Sequence, residues 1–439
     1  MAIRGTDDNG GGSGGWSGRG GVLGAIIGRL RGDERLVVIC GSTVLVMAGQ
    51  GVVGPVLPIY ARDFGVSTAV VGLTFTAFGL ARLLLNIPAG IWADRAGRRF
   101  LLVGGPIVTS IGMIGSGLAP TIWALLAWRL VAGAGSALYM TGAQIYLIDI
   151  AADDERARYI ATNQGALLVG VSVGPAVGGL LADSYGLRVP FLVVGIGAAI
   201  TAVYGFFRLP ETRESTVDEV GTTASSMAAE PIKGVPGGEG VWATRRAFAR
   251  SNQFVAVGLV SFAIFSLRSG FRQTLVPIAA TDRFGLDTGD LGLLFTALGV
   301  IGLVLIGPAG WVADRWGRKP AIVPSGYVAA AGVALTAVSG NLTWFVAGLV
   351  LSAIGTGVGG PAPAAFVADI SPPELRGAAM GLYRTWGDLG MVAAPVLSGA
   401  LADVTSMRTS MLVSATVIAA AITWFQITAR EPTGVGLQL

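Results

Sequence analysis

Residues 88–99 read PAGIWADRAGRR, and residues 308–319 read PAGWVADRWGRK. Eight of the twelve positions agree: Pro88/Pro308, Ala89/Ala309, Gly90/Gly310, Ala93/Ala313, Asp94/Asp314, Arg95/Arg315, Gly97/Gly317 and Arg98/Arg318. The same offset of 220 positions continues outward from this charged cassette. VGLTFTAFGL (71–80) matches LGLLFTALGV (291–300), and Phe64-Gly65 matches Phe284-Gly285. Further on, Asp149-Ile150 matches Asp369-Ile370, Arg156 matches Arg376, Gly170 matches Gly390 and Pro175 matches Pro395. Leu181-Ala182-Asp183 lines up with Leu401-Ala402-Asp403. Near the start of each copy the offset slips to 219, pairing Gly51 with Gly270 and Pro58 with Pro277. An offset held this long makes the chain two copies of one structural unit.

Each copy is built from apolar stretches. Hydrophobic residues make up 52% of the 439 and charged residues 13%, against about 25% charged in soluble domains. About twenty apolar residues are needed to cross a bilayer as a helix. Such spans are expected at roughly 36–60, 67–91, 99–119, 122–149, 157–182, 189–208, 252–280, 288–312, 319–338, 342–369, 375–402 and 407–429. The pattern predicts an all-α membrane protein with twelve transmembrane helices in two pseudo-symmetric six-helix bundles, 36–208 and 252–430. Residues 1–35 read as a Gly-rich disordered tail, 209–251 as a polar linker with Pro210, Pro231 and Pro236, and 431–439 as a C-terminal tail. Six spans per copy is an even number, so the copies share one orientation and are related by an axis along the membrane normal.

Composition also narrows the chemistry. The 68 glycines suit close helix packing in lipid, although a high-GC genome also favours them, as two lysines among 30 basic residues suggest. There is no histidine, and Cys40 is the lone cysteine. No cysteine-based metal site, cofactor site, catalytic triad or phosphate loop is expected, and the reading is not an enzyme. Any proton chemistry must use carboxylates. The net charge of +4 does not imply nucleic acid, because the arginines sit between apolar spans. Most of those arginines fall on the cassette side, with Arg62, Arg188, Arg283 and Arg408 opposite, so the positive-inside rule puts the cassettes, linker and both termini in the cytoplasm.

The cassette Gly90-x3-Asp94-Arg95-x-Gly97-Arg98-Arg99, between the second and third spans, resembles the signature loop of the major facilitator superfamily. The copy from Gly310 to Lys319 resembles its weaker equivalent between the eighth and ninth spans. Residues 170–179, GVSVGPAVGG, resemble the fifth-helix motif of that superfamily's drug/proton antiporters, through Gly170, Gly174, Pro175, Gly178 and Gly179. In the resembled proteins that helix packs against helix 8, between the halves. Its second copy is degraded, with Ala394 and Ser398 for Gly174 and Gly178. Arg129-x3-Gly133-x-Gly135 resembles a fourth-helix motif linked to proton transfer, although Ala132 stands where that motif often has Gln. Leu209-Pro210-Glu211-Thr212 resembles the usual ending of the sixth helix and is read only as a helix-exit signal.

The resemblance assigns roles to the charges. Asp94 and Asp314 face the N-termini of helices 11 and 5, and Arg98 and Arg318 pair with Asp149 and Asp369. With Gly90, Arg95, Gly97, Gly310, Arg315 and Gly317, these residues form a latch that closes the cytoplasmic end when the transporter opens outward. The alternative is a basic loop that only fixes topology. Deeper charges are costlier, since an arginine at a helix centre costs about 2.5–3.5 kcal/mol to insert. Arg82 lies roughly 18 Å from the cytoplasmic end, and Asp388 roughly 21 Å, at about 1.5 Å per residue. They are therefore expected to pair across the halves, with Arg384 competing, and Asp388 is the expected proton carrier. A static ion pair is the alternative. The copies of Arg82 and Asp388 are Gly302 and Leu168, so this pair is not needed to build the fold.

Helices 1, 4, 7 and 10 line the cavity of the resembled fold. Arg268, Arg272, Gln50, Gln273, Tyr139 and Gln144 are the expected substrate contacts. No acidic residue lies between Leu36 and Tyr60, which argues against a specialist for cationic drugs and leaves neutral, zwitterionic or anionic amphiphiles. The expectation is a monomeric inner-membrane exporter of small amphiphilic molecules by proton antiport. The alternatives are a facilitator or proton symporter for a small metabolite, and a transporter-like sensor or scaffold.

Overall fold

The computed structural model describes residues 34–152, 155–212, 250–372 and 375–431. The N-terminal tail to residue 33, most of the linker and most of the C-terminal tail lie outside the described residues. Twelve helices are long and apolar enough to cross a membrane. They are α1 (Glu34–Arg62), α2 (Thr68–Ala96), α3 (Arg98–Gly117), α4 (Ile122–Ile150), α5 (Arg156–Tyr185), α6 (Val189–Arg208), α7 (Asn252–Phe284), α8 (Thr288–Trp316), α9 (Arg318–Val338), α10 (Leu342–Ile370), α11 (Arg376–Val404) and α12 (Met407–Thr428). Among the described residues there is no strand.

The repeat sets the packing. Within the first half α1 packs on α5 and α6, α4 on α2 and α3, and α3 on α6. Within the second half α7 packs on α11 and α12, α10 on α8 and α9, and α9 on α12. Local signals repeat at the same offset. Thr121 and Asn341 cap α4 and α10 by accepting from Ala124 N–H and Trp344 N–H. Gly97 and Gly317 break the chain between α2 and α3 and between α8 and α9 at φ of 93° and 98°, a region where a Cβ is strained. The cassette's repeated glycine is thus a backbone requirement.

Two elements break the symmetry: α10 is interrupted at Gly360-Pro361, where α4 runs unbroken, and α7 changes its winding. Leu267–Leu275 of α7 is π-helical, with i→i+5 bonding that widens the turn. Gly270 lies inside it and Pro277 just beyond, and both weaken a regular α-turn. Such bulges often mark functional sites.

The halves meet through α2 with α11 and α5 with α8. On α2 the close contacts lie at Gly72, against Pro395 O, and at Gly79, 3.2 Å from Val392 for a Cβ built there. Thr76 Oγ1 donates to Val392 O at 2.6 Å. On α5, Gly179 abuts Thr288 O, and Ala176 N–H donates to Thr296 Oγ1 at 2.9 Å. All these residues lie in the half of each helix away from the cassettes. At that end Ile278 of α7 is buried among Val53, Val56, Leu57 and Tyr60 of α1. The molecule is closed at the end opposite the cassettes. At the cassette end a Cβ on Gly90, Gly310 or Gly381 would meet nothing within 4 Å.

Candidate functional site

Three groups of residues converge on the division between the halves. The first closes the far end. Asp403, near the end of α11, accepts from Thr68 N–H at 2.9 Å and Ala69 N–H at 2.8 Å. These are orphan donors of the α2 N-terminus, and the carboxylate lies on the positive end of the helix dipole. Ser67, the N-cap of α2, makes no side-chain cap of its own, so the other half supplies it. Arg62 pairs with Asp282 at 2.7 Å, joining α1 to α7.

The second group is the cassettes. Arg98 Nε donates to Asp149 Oδ2 at 2.8 Å, and Arg318 Nε donates to Asp369 Oδ2 at 3.0 Å. Arg98 and Arg318 also reach Asp94 and Asp314 one turn back, at 3.6 and 2.6 Å. Every one of these pairs lies within one half. The side chains of Asp94 and Asp314 are 73% exposed, and their ion pairs among the described residues stay within their own halves rather than reaching the N-termini of α11 and α5. The physical reason is the splay of the halves at this end. Arg315 stacks on Trp311, 5.4 Å from the ring centroid.

Two residues here were missed from the sequence. Glu211 accepts from Arg98 N–H at 2.9 Å and Arg99 N–H at 3.2 Å, and Glu431 accepts from Arg318 N–H at 2.6 Å and Lys319 N–H at 2.9 Å. Each caps the helix that follows its cassette. Thr212 Oγ1 adds a bond to Asp149 at 3.0 Å. The segment read as a helix exit thus holds the cassette, and the signal was available, because Glu211 and Glu431 stand at the 220 offset.

The α5 glycines sort differently from the expectation. Gly170, Gly174 and Gly178 press on α1 at Val44, Ala48 and Val52, within the first half. Gly179, Ala176 and Ser172 form the contact with α8. Pro175 touches both sides: its Cδ lies 2.9 Å from a Cβ built on Gly51, and its carbonyl abuts Gly292. The stripe therefore lets α5 seat on α1, and the neighbouring face carries the division between halves.

The third group is the charges at membrane depth. Asp388 is half-buried, with Arg82 and Arg384 as its charged neighbours, and Arg82 in turn has Arg384 and Arg268 beside it. The expected Arg82–Asp388 ion pair is not formed. Arg82 Nε is buried without a partner, and Asp388 joins no ion pair within 4.0 Å among the described residues. The contact of Gly79 with Val392 lies one turn short of Asp388 on the closed side of the pair. Arg268 is exposed, and Arg272 and Gln273 are half-buried, whereas Leu267, Ser269, Gly270, Phe271, Thr274 and Leu275 are buried. The π-helical turn therefore places Arg268, Arg272 and Gln273 on its less buried face.

Other expected cavity residues lie elsewhere. Tyr139 is 1% exposed, and its hydroxyl is shared with Thr43 Oγ1 at 3.0 Å and Ile39 O at 3.3 Å. It is a core group between α1 and α4. Gln50 donates to Ser136 Oγ at 2.9 Å, and Gln144 is half-buried. Arg129 is 5% exposed and lies inside the first half, its guanidinium 4.7 Å from the Phe78 ring centroid and its Nε 3.5 Å from Thr74 O. It has no carboxylate partner among the described residues, and Phe78 separates it from Arg82, which lies 6.0 Å from the same ring.

A family model described as Major Facilitator Superfamily matches residues 39–278 and again 257–437, one match for each half. The chain belongs to the Major Facilitator Superfamily. Tetracycline resistance protein, class C, from Escherichia coli is 26% identical over 403 residues, covering 90% of this chain and 92% of that protein. Multidrug resistance protein 1 from Bacillus subtilis is 23% identical, covering 84% and 90%. Among solved structures, a bacterial homologue of the human lysosomal transporter Spinster, in an inward-facing and occupied conformation, superposes with a TM-score of 0.76 at 17% identity, covering 90% and 96%. The superfamily is one of membrane transporters for small molecules rather than enzymes.

Proposed function

We propose that this superfamily transporter is an exporter of small amphiphilic molecules in the plasma membrane, working as a monomer by proton antiport with alternating access. Its cassettes and both termini face the cytoplasm, so the conformation described here is inward-facing. The observation that carries the reading is the division between the halves: sealed at one end, open at the other, with Asp388 one turn beyond the Gly79–Val392 contact. A proton arriving at Asp388 neutralises the negative charge that faces Arg82 and Arg384 and changes the balance between states. The α5 motif and the printed names of the efflux relatives support export.

A second reading, proton symport, is favoured by one feature. Arginines surround Asp388, so its protonation frees positive charge, and a proton and an anion then bind better together than apart. Proteoliposomes under an imposed pH gradient separate the two. Antiport accumulates substrate against the proton flow and symport accumulates it along the flow. Both fail if the gradient never changes flux. Asp388→Asn is expected to abolish gradient-driven accumulation while retaining substrate exchange, and full accumulation by that variant would remove Asp388 from the coupling.

A further inference from the structure

We infer that the cavity takes an amphiphile carrying an oxyanion, such as a carboxylate or sulfonate, and that Arg268 and Arg272 bind that group. The inference rests on the transport reading above and names its substrate class. Four guanidiniums, Arg82, Arg268, Arg272 and Arg384, share this zone with the single carboxylate Asp388. Asp388 sits beside Arg82 and one turn from Arg384. That leaves Arg268 and Arg272 without a carboxylate among the described residues, and Arg272 Nε and Nη2 are both buried with no hydrogen-bond partner.

A buried guanidinium left unmatched is unfavourable and is ordinarily partnered. Here Arg268 is exposed and Arg272 half-buried on the less buried face of α7, and Gln273 adds an amide beside them. An arginine fork matches a planar oxyanion with two parallel N–H···O bonds. The π-helical turn is what places residues 268, 272 and 273 together. The positions that correspond on α1 are Gly49 and Val53, so the site belongs to one half only.

The test uses the full chain, purified in detergent, and three fluorescent probes of one shape: a dansylated amino acid with a free carboxylate, its methyl ester, and the corresponding amine. The carboxylate is expected to bind about tenfold or more tightly than the ester, as charge-assisted bonds contribute. Arg268→Gln and Arg272→Gln are each expected to reduce that preference, and the double variant to erase it, with ester binding unchanged. Arg272→Lys keeps the charge and is expected to recover part of the preference, and unchanged ester binding certifies the fold of every variant. Equal binding of the three probes, or a carboxylate preference that survives in the double variant, would overturn the inference. Binding needs no proton gradient, so the outcomes separate. A carboxylate preference without gradient-driven flux leaves the anion site standing and removes proton coupling. Gradient-driven flux of the amine alone does the reverse.

Discussion

Replacing Asp403 by asparagine removes one charge from the closed end and leaves its shape. The carboxylate accepts two N–H groups at the α2 N-terminus, at 2.9 and 2.8 Å, across the two halves. Charge-assisted bonds in a protein interior contribute about 1.5–3 kcal/mol each, but Asp403 is exposed, and solvent screening cuts exposed electrostatics sharply. A carboxylate on an exposed helix N-terminus is worth about 0.3–1 kcal/mol. The substitution should therefore lower the ratio of the described conformation to its opposite by roughly 2- to 5-fold. The sign is fixed, because the contact exists only while this end is closed. Spin labels on Ile87 of α2 and Val304 of α8 report the separation of the halves on the cassette side, and both residues are well exposed, at 77% and 66%. Cys40, which is buried, is replaced first. Pulsed dipolar distances should show the shorter cassette-side population growing in Asp403→Asn and growing further in Asp403→Ala. An unchanged distribution in both variants, or a shift toward longer distances, would refute the argument that this carboxylate holds the end shut.

Two further outcomes follow from the same geometry. Asp94 is at the other end of the same helix pair, exposed and unengaged with α11, so Asp94→Asn should leave the described conformation intact and shift the same distances the opposite way, toward the wider cassette-side opening. An unchanged population would reduce the cassette to a topology signal. Glu211→Ala and Glu431→Ala each remove a cap from α3 or α9 and should cost about 1 kcal/mol of stability, read as a lower thermal unfolding midpoint. The two effects should add, since the sites lie in different halves; strong non-additivity would mean that the two caps are coupled across the interface.

The architecture was legible because membrane spans and repeats are one-dimensional signals. A 220-residue offset and the length of apolar runs are enough to place twelve helices and two halves. The Arg98–Asp149 and Arg318–Asp369 pairings were legible for the same reason, as repeat-matched charges at helix ends. Side-chain direction was not. Tyr139 and Arg129 lie on cavity-type or motif-bearing helices, yet Tyr139 points into the packing with α1 and Arg129 lies behind Phe78. Rotation of a helix is set by its neighbours, and a span that is apolar all round carries little record of it. The π-helical turn of α7 was hidden too, because it depends on backbone bonding that Gly270 and Pro277 permit without dictating. The Arg82–Asp388 contact failed for a different reason: similar depth on neighbouring helices sets proximity, whereas contact depends on which end of the helix pair is closed.

That dependence ties the duplicated residues to the unduplicated ones. Helices α2 and α11 run antiparallel, so each end of the pair brings the N-terminus of one helix near a carboxylate of the other: Asp403 onto α2 at the closed end, and Asp94 on the cassette side, where α11 begins. On the alternating-access reading proposed above, closing one end opens the other. Arg82 and Asp388 lie between these two contacts along the helix pair. Closure at the cassette end brings the two helices together there and narrows the space around four arginines and one carboxylate. Water reaching an open cavity screens that charge, and an occluded cavity loses the screening. An arginine without a partner at membrane depth costs about 2.5–3.5 kcal/mol, comparable to or larger than the contribution of the Asp403 contact. The charges in the middle, more than the latches at the ends, therefore set whether the molecule can close, and an anion beside Arg268 and Arg272 lowers the cost of doing so.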